Sequence, residues 1–175
     1  MAGILIVAHA PLASALRDCL KHIYCGLPAR IGAIDVLPDS DPREVEQLAK
    51  DEVERLREAN GTLVFADLYG ATPANIASRL ASMSDVRVLA GVNLPMLLRA
   101  VCYRHTPLDL LVDKTLAGGA NGIQTIEAAA PCVYPVPPVT ACKALPANSS
   151  LSSSMSSSMS PATEHHAARR THHHQ

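Results

Sequence analysis

Ile4-Leu5-Ile6-Val7-Ala8-His9-Ala10-Pro11 decides the fold of this chain. The apolar run Ile4–Ala8 reads as a short strand covered on both faces, since a strand with one wet face would alternate apolar and polar residues. Pro11 opens an amphipathic stretch in which Leu12, Leu16, Cys19, Leu20 and Ile23 recur on one helical face. A strand, a tight turn and a helix put the His9 imidazole at the strand's C-terminal end, beside a helix N-terminus. The amides of that helix end point outward unpaired and carry partial positive charge, so they favour an anion. A histidine there can act as a nucleophile whose phosphorylated form the fold stabilises. Taken alone, His9 reads equally well as a satisfied histidine in a βα-turn.

Working outward, the same alternation repeats. Ile31–Val36, Thr62–Ala66 and Val86–Ala90 read as further strands. Val45, Leu48, Ala49, Val53 and Leu56 form a second helical stripe. That helix is punctuated by Asp41 as cap, Pro42 at the first position, Glu44 completing a capping box and Gly61 beyond its end. Further helices are expected to begin at Pro73 and Pro95, with one more from about Pro107 to Leu116. Strands alternating with helices predict right-handed βαβ units. The expected fold is α/β: an open, doubly wound, mainly parallel sheet of order 2-1-3-4, with room for one extra antiparallel strand and helices on both faces. It takes residues 1–128.

Residues 129–175 differ in character. Pro131, Pro135, Pro137, Pro138 and Pro146 interrupt any regular element, a Ser/Met run covers Ser149–Ser160, and His165, His166, His172, His173 and His174 crowd the end. With little apolar surface to pack, this tail is expected to be disordered and unrelated to the domain's function. The clustered histidines lack the spacing of a preorganised metal site. Across the 175 residues the net charge is −1, with no Trp and a single Phe, so neither the basic surface nor the stacking aromatics of nucleic-acid binding stand out. The N-terminal apolar run lacks a basic flank and is too short for a signal peptide or a membrane span, so a cytoplasmic location is expected. Cys19, Cys25, Cys102, Cys132 and Cys142 include no C-x-x-C pair. Cys19 and Cys102 read as small core residues.

In a parallel sheet the strand C-termini share one edge, and ligands bind where the strand order reverses. His9 closes the first strand, Asp67 the third, and Asn93 follows the fourth. With order 2-1-3-4 the first and third strands are neighbours, so His9 and Asp67 face each other. A carboxylate accepting a hydrogen bond from one ring nitrogen leaves the other free to attack. Thr72, just before Pro73, suits a helix cap and offers a hydroxyl to a phosphoryl oxygen; its plain alternative is a structural cap alone, and that of Asp67 a turn residue. Other uses of this architecture fit less well. A dinucleotide site needs G-x-G-x-x-G after the first strand, a response-regulator receiver needs acidic residues there, and a histidine phosphatase needs Arg-His-Gly. This chain has Ala8-His9-Ala10.

Three segments together resemble one family: Ile6-Val7-Ala8-His9, Phe65-Ala66-Asp67-Leu68-Tyr69-Gly70-Ala71-Thr72-Pro73-Ala74-Asn75, and Ala90-Gly91-Val92-Asn93-Leu94-Pro95-Met96-Leu97. They look like the enzyme IIA component of the mannose-type (mannose/fructose/sorbose) sugar phosphotransferase system, over about residues 1–128. The resemblance implies a homodimeric phosphotransferase. It would accept a phosphoryl group from the phosphocarrier HPr and pass it to an enzyme IIB partner for carbohydrate uptake, touching the membrane only indirectly through a permease complex. It implies that His9 is phosphorylated, that Asp67 is its hydrogen-bonding partner, and that Thr72, with Ala71 and Gly70, contacts phosphate. No cofactor or metal is implied, because the donor is already an activated N–P bond. Family members exchange a C-terminal element between protomers, and Ile123–Ile126 is a β-prone piece available for that. Two departures stand out: the Pro-rich stretch leads to a Ser/His tail where a IIB domain often follows, and Gly118-Gly119-Ala120-Asn121-Gly122 leaves the last helix's length open. Two other readings remain at this point. One is a stand-alone regulatory subunit whose phosphorylation state controls a partner, the other a non-catalytic module binding a small anion.

Overall fold

The computed structural model describes residues 1–126. The expected domain end at 128, the tail 129–175 with its expected disorder, Cys132 and Cys142 lie outside them. Within them each apolar run is a strand: β1 Gly3–His9, β2 Ile31–Val36, β3 Thr62–Ala66 and β4 Val86–Ala90. They form one parallel sheet in the order β2-β1-β3-β4. The register pairs His9 with Val36 and Val7 with Ala66, so Asp67 leaves the sheet beside the end of β1.

Five helices cover both faces: α1 Leu12–Ile23, α2 Pro42–Leu56, α3 Thr72–Leu80, α4 Leu94–Tyr103 and α5 Leu108–Asn121. Successive strand residues point to opposite faces, which is why the strands read as unbroken apolar runs. Leu5, Val7, Ile34, Val36 and Val64 pack against Val45, Ala49, Val53 and Leu56 of α2 and Ile76, Ala77 and Leu80 of α3. On the other face Ile4, Ile6, Ile31, Leu63 and Phe65 meet Leu20 of α1, Met96, Leu97 and Val101 of α4, and Leu111 of α5. Burial of each such large side chain contributes about 1.5–3 kcal/mol.

The departures from expectation have physical causes. α1 and α2 carry apolar stripes wider than the surface they cover: Cys19 is exposed, not a core residue, and Leu12 and Leu48 are 41% and 54% exposed. Asp41 caps α2 by accepting the Arg43 N–H at 2.8 Å, but among the described residues Glu44 returns no side-chain bond to complete the box. α5 runs past Leu116 to Asn121, straight through Gly118 and Gly119. A Cβ at Gly119 would lie 2.5 Å from Met96 Cγ, and one at Gly118 would overlap the Arg99 side chain. The glycines let α5 lie directly on α4, and that packing outweighs their poor helix propensity. Ile123–Ile126 pairs with no described strand, and Ile123 and Ile126 are 76% and 75% exposed.

Gly61 shows how tightly the sheet's opposite edge is built. It sits at φ +74 between α2 and β3, its carbonyl accepts the Gly3 N–H at 2.9 Å, and a Cβ there would overlap the Asp85 carbonyl oxygen. Gly61→Ala should therefore lower stability by about 2 kcal/mol, read in a thermal melt as a fall of roughly 5–10 °C. An unchanged melt would show that the turn relaxes freely.

Candidate functional site

β1 and β3 deliver His9 and Asp67 to one edge, and the two side chains meet. Asp67 Oδ2 accepts the His9 backbone N–H at 2.9 Å and lies 2.7 Å from His9 Nδ1; Asp67 Oδ1 accepts the Leu68 N–H at 2.8 Å. An ionised carboxylate only accepts, so this contact requires the proton on Nδ1 and leaves the Nε2 lone pair unused. The carboxylate is sheltered, with 10% of its side chain exposed, while the imidazole is 52% exposed. Burial pushes the Asp67 carboxyl upward, but the bonds from the His9 backbone and ring and from the Leu68 amide outweigh it and hold the group below its ordinary value. The loop is also fixed from outside: the Asp67 carbonyl accepts the Gly91 N–H at 3.1 Å and the Ala66 carbonyl accepts the Val92 N–H at 3.0 Å.

Four helices begin at this edge, and at three of them one N-terminal amide is taken by a side chain. Asp41 serves α2, Asn93 Oδ1 accepts the Met96 N–H at the start of α4 at 2.9 Å, and Asp35 of β2 reaches across to accept the Ser14 N–H of α1 at 3.1 Å. The cap positions of α1 and α3, Pro11 and Ala71, make no side-chain cap bond, but α1 is met at Ser14 by Asp35, whereas no described side chain accepts from an amide of α3. Thr72 therefore does not cap the helix as expected. It occupies the first helical turn itself, with its hydroxyl exposed and bonded to no described residue. Gly70, at φ +83, makes the turn into α3, and its carbonyl accepts Asn75 Nδ2 at 3.2 Å. The Ala71 amide is already committed to the Leu68 carbonyl at 3.2 Å. Open donors at this helix end are thus the Thr72 hydroxyl and the Thr72 and Ala74 amides, Pro73 having none.

The other histidines of the described residues lie elsewhere. His105 follows α4 next to Arg104, whose carbonyl accepts the Ala2 N–H at 2.6 Å, and so sits at the opposite edge of the sheet. His22 lies in the last turn of α1, which runs back toward that same edge. Asp35 escaped notice in the sequence, although a visible signal existed: it is a charged residue inside an otherwise apolar strand, where it needs a partner. No cluster of His, Cys, Asp or Glu among the described residues could hold a metal ion.

Comparison with known proteins follows the same lines. The family model described as PTS system fructose IIA component matches residues 3–114. The PTS system mannose-specific EIIAB component of Escherichia coli (strain K12) is 29% identical over 148 residues, covering 82% of this chain and 46% of that protein. The chain thus spans about half the length of the curated relatives it matches. The crystal structure of phosphotransferase system component EIIA from Streptococcus agalactiae superposes with a TM-score of 0.65 at 31% identity, covering 71% of this chain and 97% of that one. The mannose/sorbose specific IIA subunit from Enterococcus faecalis shares the fold, with a TM-score of 0.64 at 23% identity over 72% of this chain and 95% of that one.

The depressed Asp67 carboxyl makes a pH prediction. Its stabilising contribution is present above the unfolded carboxylate range, near pH 4, and is lost as pH falls through the lower folded value. Wild-type protein should therefore lose more stability between pH 6 and pH 3 than Asp67→Asn does, in urea melts across that range. Parallel curves for the two would mean that the three hydrogen bonds do not hold the charge.

Proposed function

The chain belongs to the mannose/fructose-type IIA family of the sugar phosphotransferase system, and from that premise we propose that it is a phosphohistidine carrier which charges His9 from HPr and discharges it to an enzyme IIB partner. The observation that carries this reading is the Nδ1-directed Asp67 bond, which leaves Nε2 as the attacking nitrogen. Nε2 attacks the donor phosphohistidine in line. The donor's N–P bond breaks, its imidazole leaves with the electron pair, and the phosphoryl group ends on Nε2 while the proton stays on Nδ1. The product ring is then cationic, and Asp67 is the counter-charge already in contact with it. Loose phosphoryl transition states need positioning and charge stabilisation more than covalent help. Thr72 and the uncapped start of α3 supply donors for the phosphoryl oxygens, with Gly70 and Ala71 shaping the turn that presents them. One phosphoimidazole replaces another, so transfer is nearly isoenergetic and reversible.

The same reading extends to assembly and place. We take the chain to work as a homodimer in the cytoplasm, meeting the membrane only through a permease complex. No helix among the described residues is long and apolar enough to cross a membrane. β4 leaves one sheet edge without a described partner, and Leu110, Leu116, Ile123 and Ile126 are exposed. Exposed edges and apolar patches of this kind are normally covered.

His9→Ala should abolish labelling from phosphoenolpyruvate, enzyme I and HPr while keeping the protein folded, with a melt lowered only by the loss of the ring's bond to Asp67, because the side chain lies outside the core. The wild-type label should be acid-labile and base-stable, and ¹⁵N NMR should place it on Nε2. Asp67→Asn should slow transfer on the order of 10²–10⁴-fold, since an amide can select the wrong tautomer. Label retained in His9→Ala would move the site to His22 or His105. In light scattering the assembled protein should weigh twice the chain mass, and a clean monomer would remove the dimer from the proposal.

A further inference from the structure

Asp35 is the only acidic residue within the four strands. It lies opposite Ala8 in the register, one residue short of the His9–Val36 pair, on the sheet face that carries α1. Its Oδ1 accepts the Ser14 N–H at 3.1 Å in a half-buried setting, while the Ser14 hydroxyl turns back to the Pro11 carbonyl at 3.0 Å. A strand carboxylate thus sits against the first turn of the helix that directly follows His9 and takes its Ser14 amide. The helices that follow His9 and its partner Asp67 both begin at the edge where His9 ends, and a carboxylate side chain sits against the first of them.

We propose that Asp35 is a positioning residue for phosphoryl transfer: it bars the phosphoryl group from the start of α1, directs it to the uncapped start of α3, and keeps the phosphohistidine easy to discharge. The inference rests on the phosphocarrier reading. A dianionic phosphoryl group held by two open helix N-termini would be bound strongly, and the protein would become a sink in a chain of nearly isoenergetic transfers. A carboxylate seated at one of them turns that attraction into repulsion. The carboxylate acts through space on the phosphorylated state and takes part in no bond that forms or breaks: His9 Nε2 gains the phosphorus and the donor nitrogen loses it.

A purely structural cap makes a different prediction, which separates the two roles. Asparagine keeps an oxygen that accepts the Ser14 N–H and removes the charge. Wild type and Asp35→Asn are each equilibrated with HPr and phospho-HPr, and the phosphorylated fraction of every species is measured at low and high salt. The equilibrium for Asp35→Asn should move toward the phosphorylated carrier by about threefold to tenfold at low ionic strength, shrinking as salt screens the charge. Its melt should stay close to that of wild type. Asp35→Ala should move the equilibrium the same way and also lose stability, because the helix end is left unfilled. An equilibrium unmoved in Asp35→Asn, with wild type taking label normally, overturns the proposal and leaves Asp35 a structural cap. Failure of wild type to accept phosphate from phospho-HPr overturns the phosphocarrier reading itself, and this proposal with it.

Discussion

The Asp67 carboxylate is the group on which the active edge depends. β1 and β3 are neighbours, but their crossovers leave in opposite directions, α1 toward β2 and α3 toward β4. The β1–β3 pairing ends at Val7 and Ala66, and the His9 N–H beyond it takes no backbone partner. Asp67 supplies that partner from its side chain, and the same oxygen meets the His9 ring. One carboxylate thus completes the sheet and fixes the imidazole. Removing its charge disturbs both, so stability and chemistry at this edge are coupled by a single side chain.

A parallel α/β sheet gathers several helix N-termini at the edge where its strands end, each with unpaired amides. Left open, they would make a broad, unselective anion surface. Here Asp35, Asp41 and Asn93 each take one amide at three of the four, and no described side chain accepts from α3. Two of the three fillers come from the loop before their own helix, and the third crosses from a neighbouring strand. On the phosphocarrier reading this favours an anion beside Thr72, through the amides taken elsewhere as much as through those left free here.

Much of this was legible in the sequence because it follows from period and order. The four strands, the 2-1-3-4 arrangement and the meeting of His9 with Asp67 all come from unbroken apolar runs and the rule that parallel strands end on one edge. What was not legible depends on contacts between distant segments. Gly118 and Gly119 read as a possible helix end, yet they lie inside α5 because Met96 and Arg99 of α4 leave no room for a Cβ. Thr72 has the composition of a cap, but the turn at Gly70 brings Ala71 to that position first. Cys19 shares the period of a buried stripe, yet nothing among the described residues covers it. Asp35 carries no motif at all; its partner is an amide 21 residues earlier on another element.

The loop after β3 combines a fixed backbone with unburied side chains. Its carbonyls at Asp67, Leu68 and Gly70 are held by Gly91, Ala71 and Asn75, while Tyr69 projects 89% exposed and Leu68 62%. A rigid backbone loses little conformational freedom when a partner docks, so the area those side chains then bury turns more fully into affinity. On the phosphocarrier reading this suits a site that must serve two partners in succession. A lid of its own would have to open twice per transfer, whereas a docking partner can exclude water from the phosphoryl group and take that exclusion away when it leaves. The half-exposed imidazole is then a requirement of the chemistry: His9 must reach out to a donor and an acceptor alike, and the sheltered Asp67 carboxylate behind it holds the ring in place while it does so.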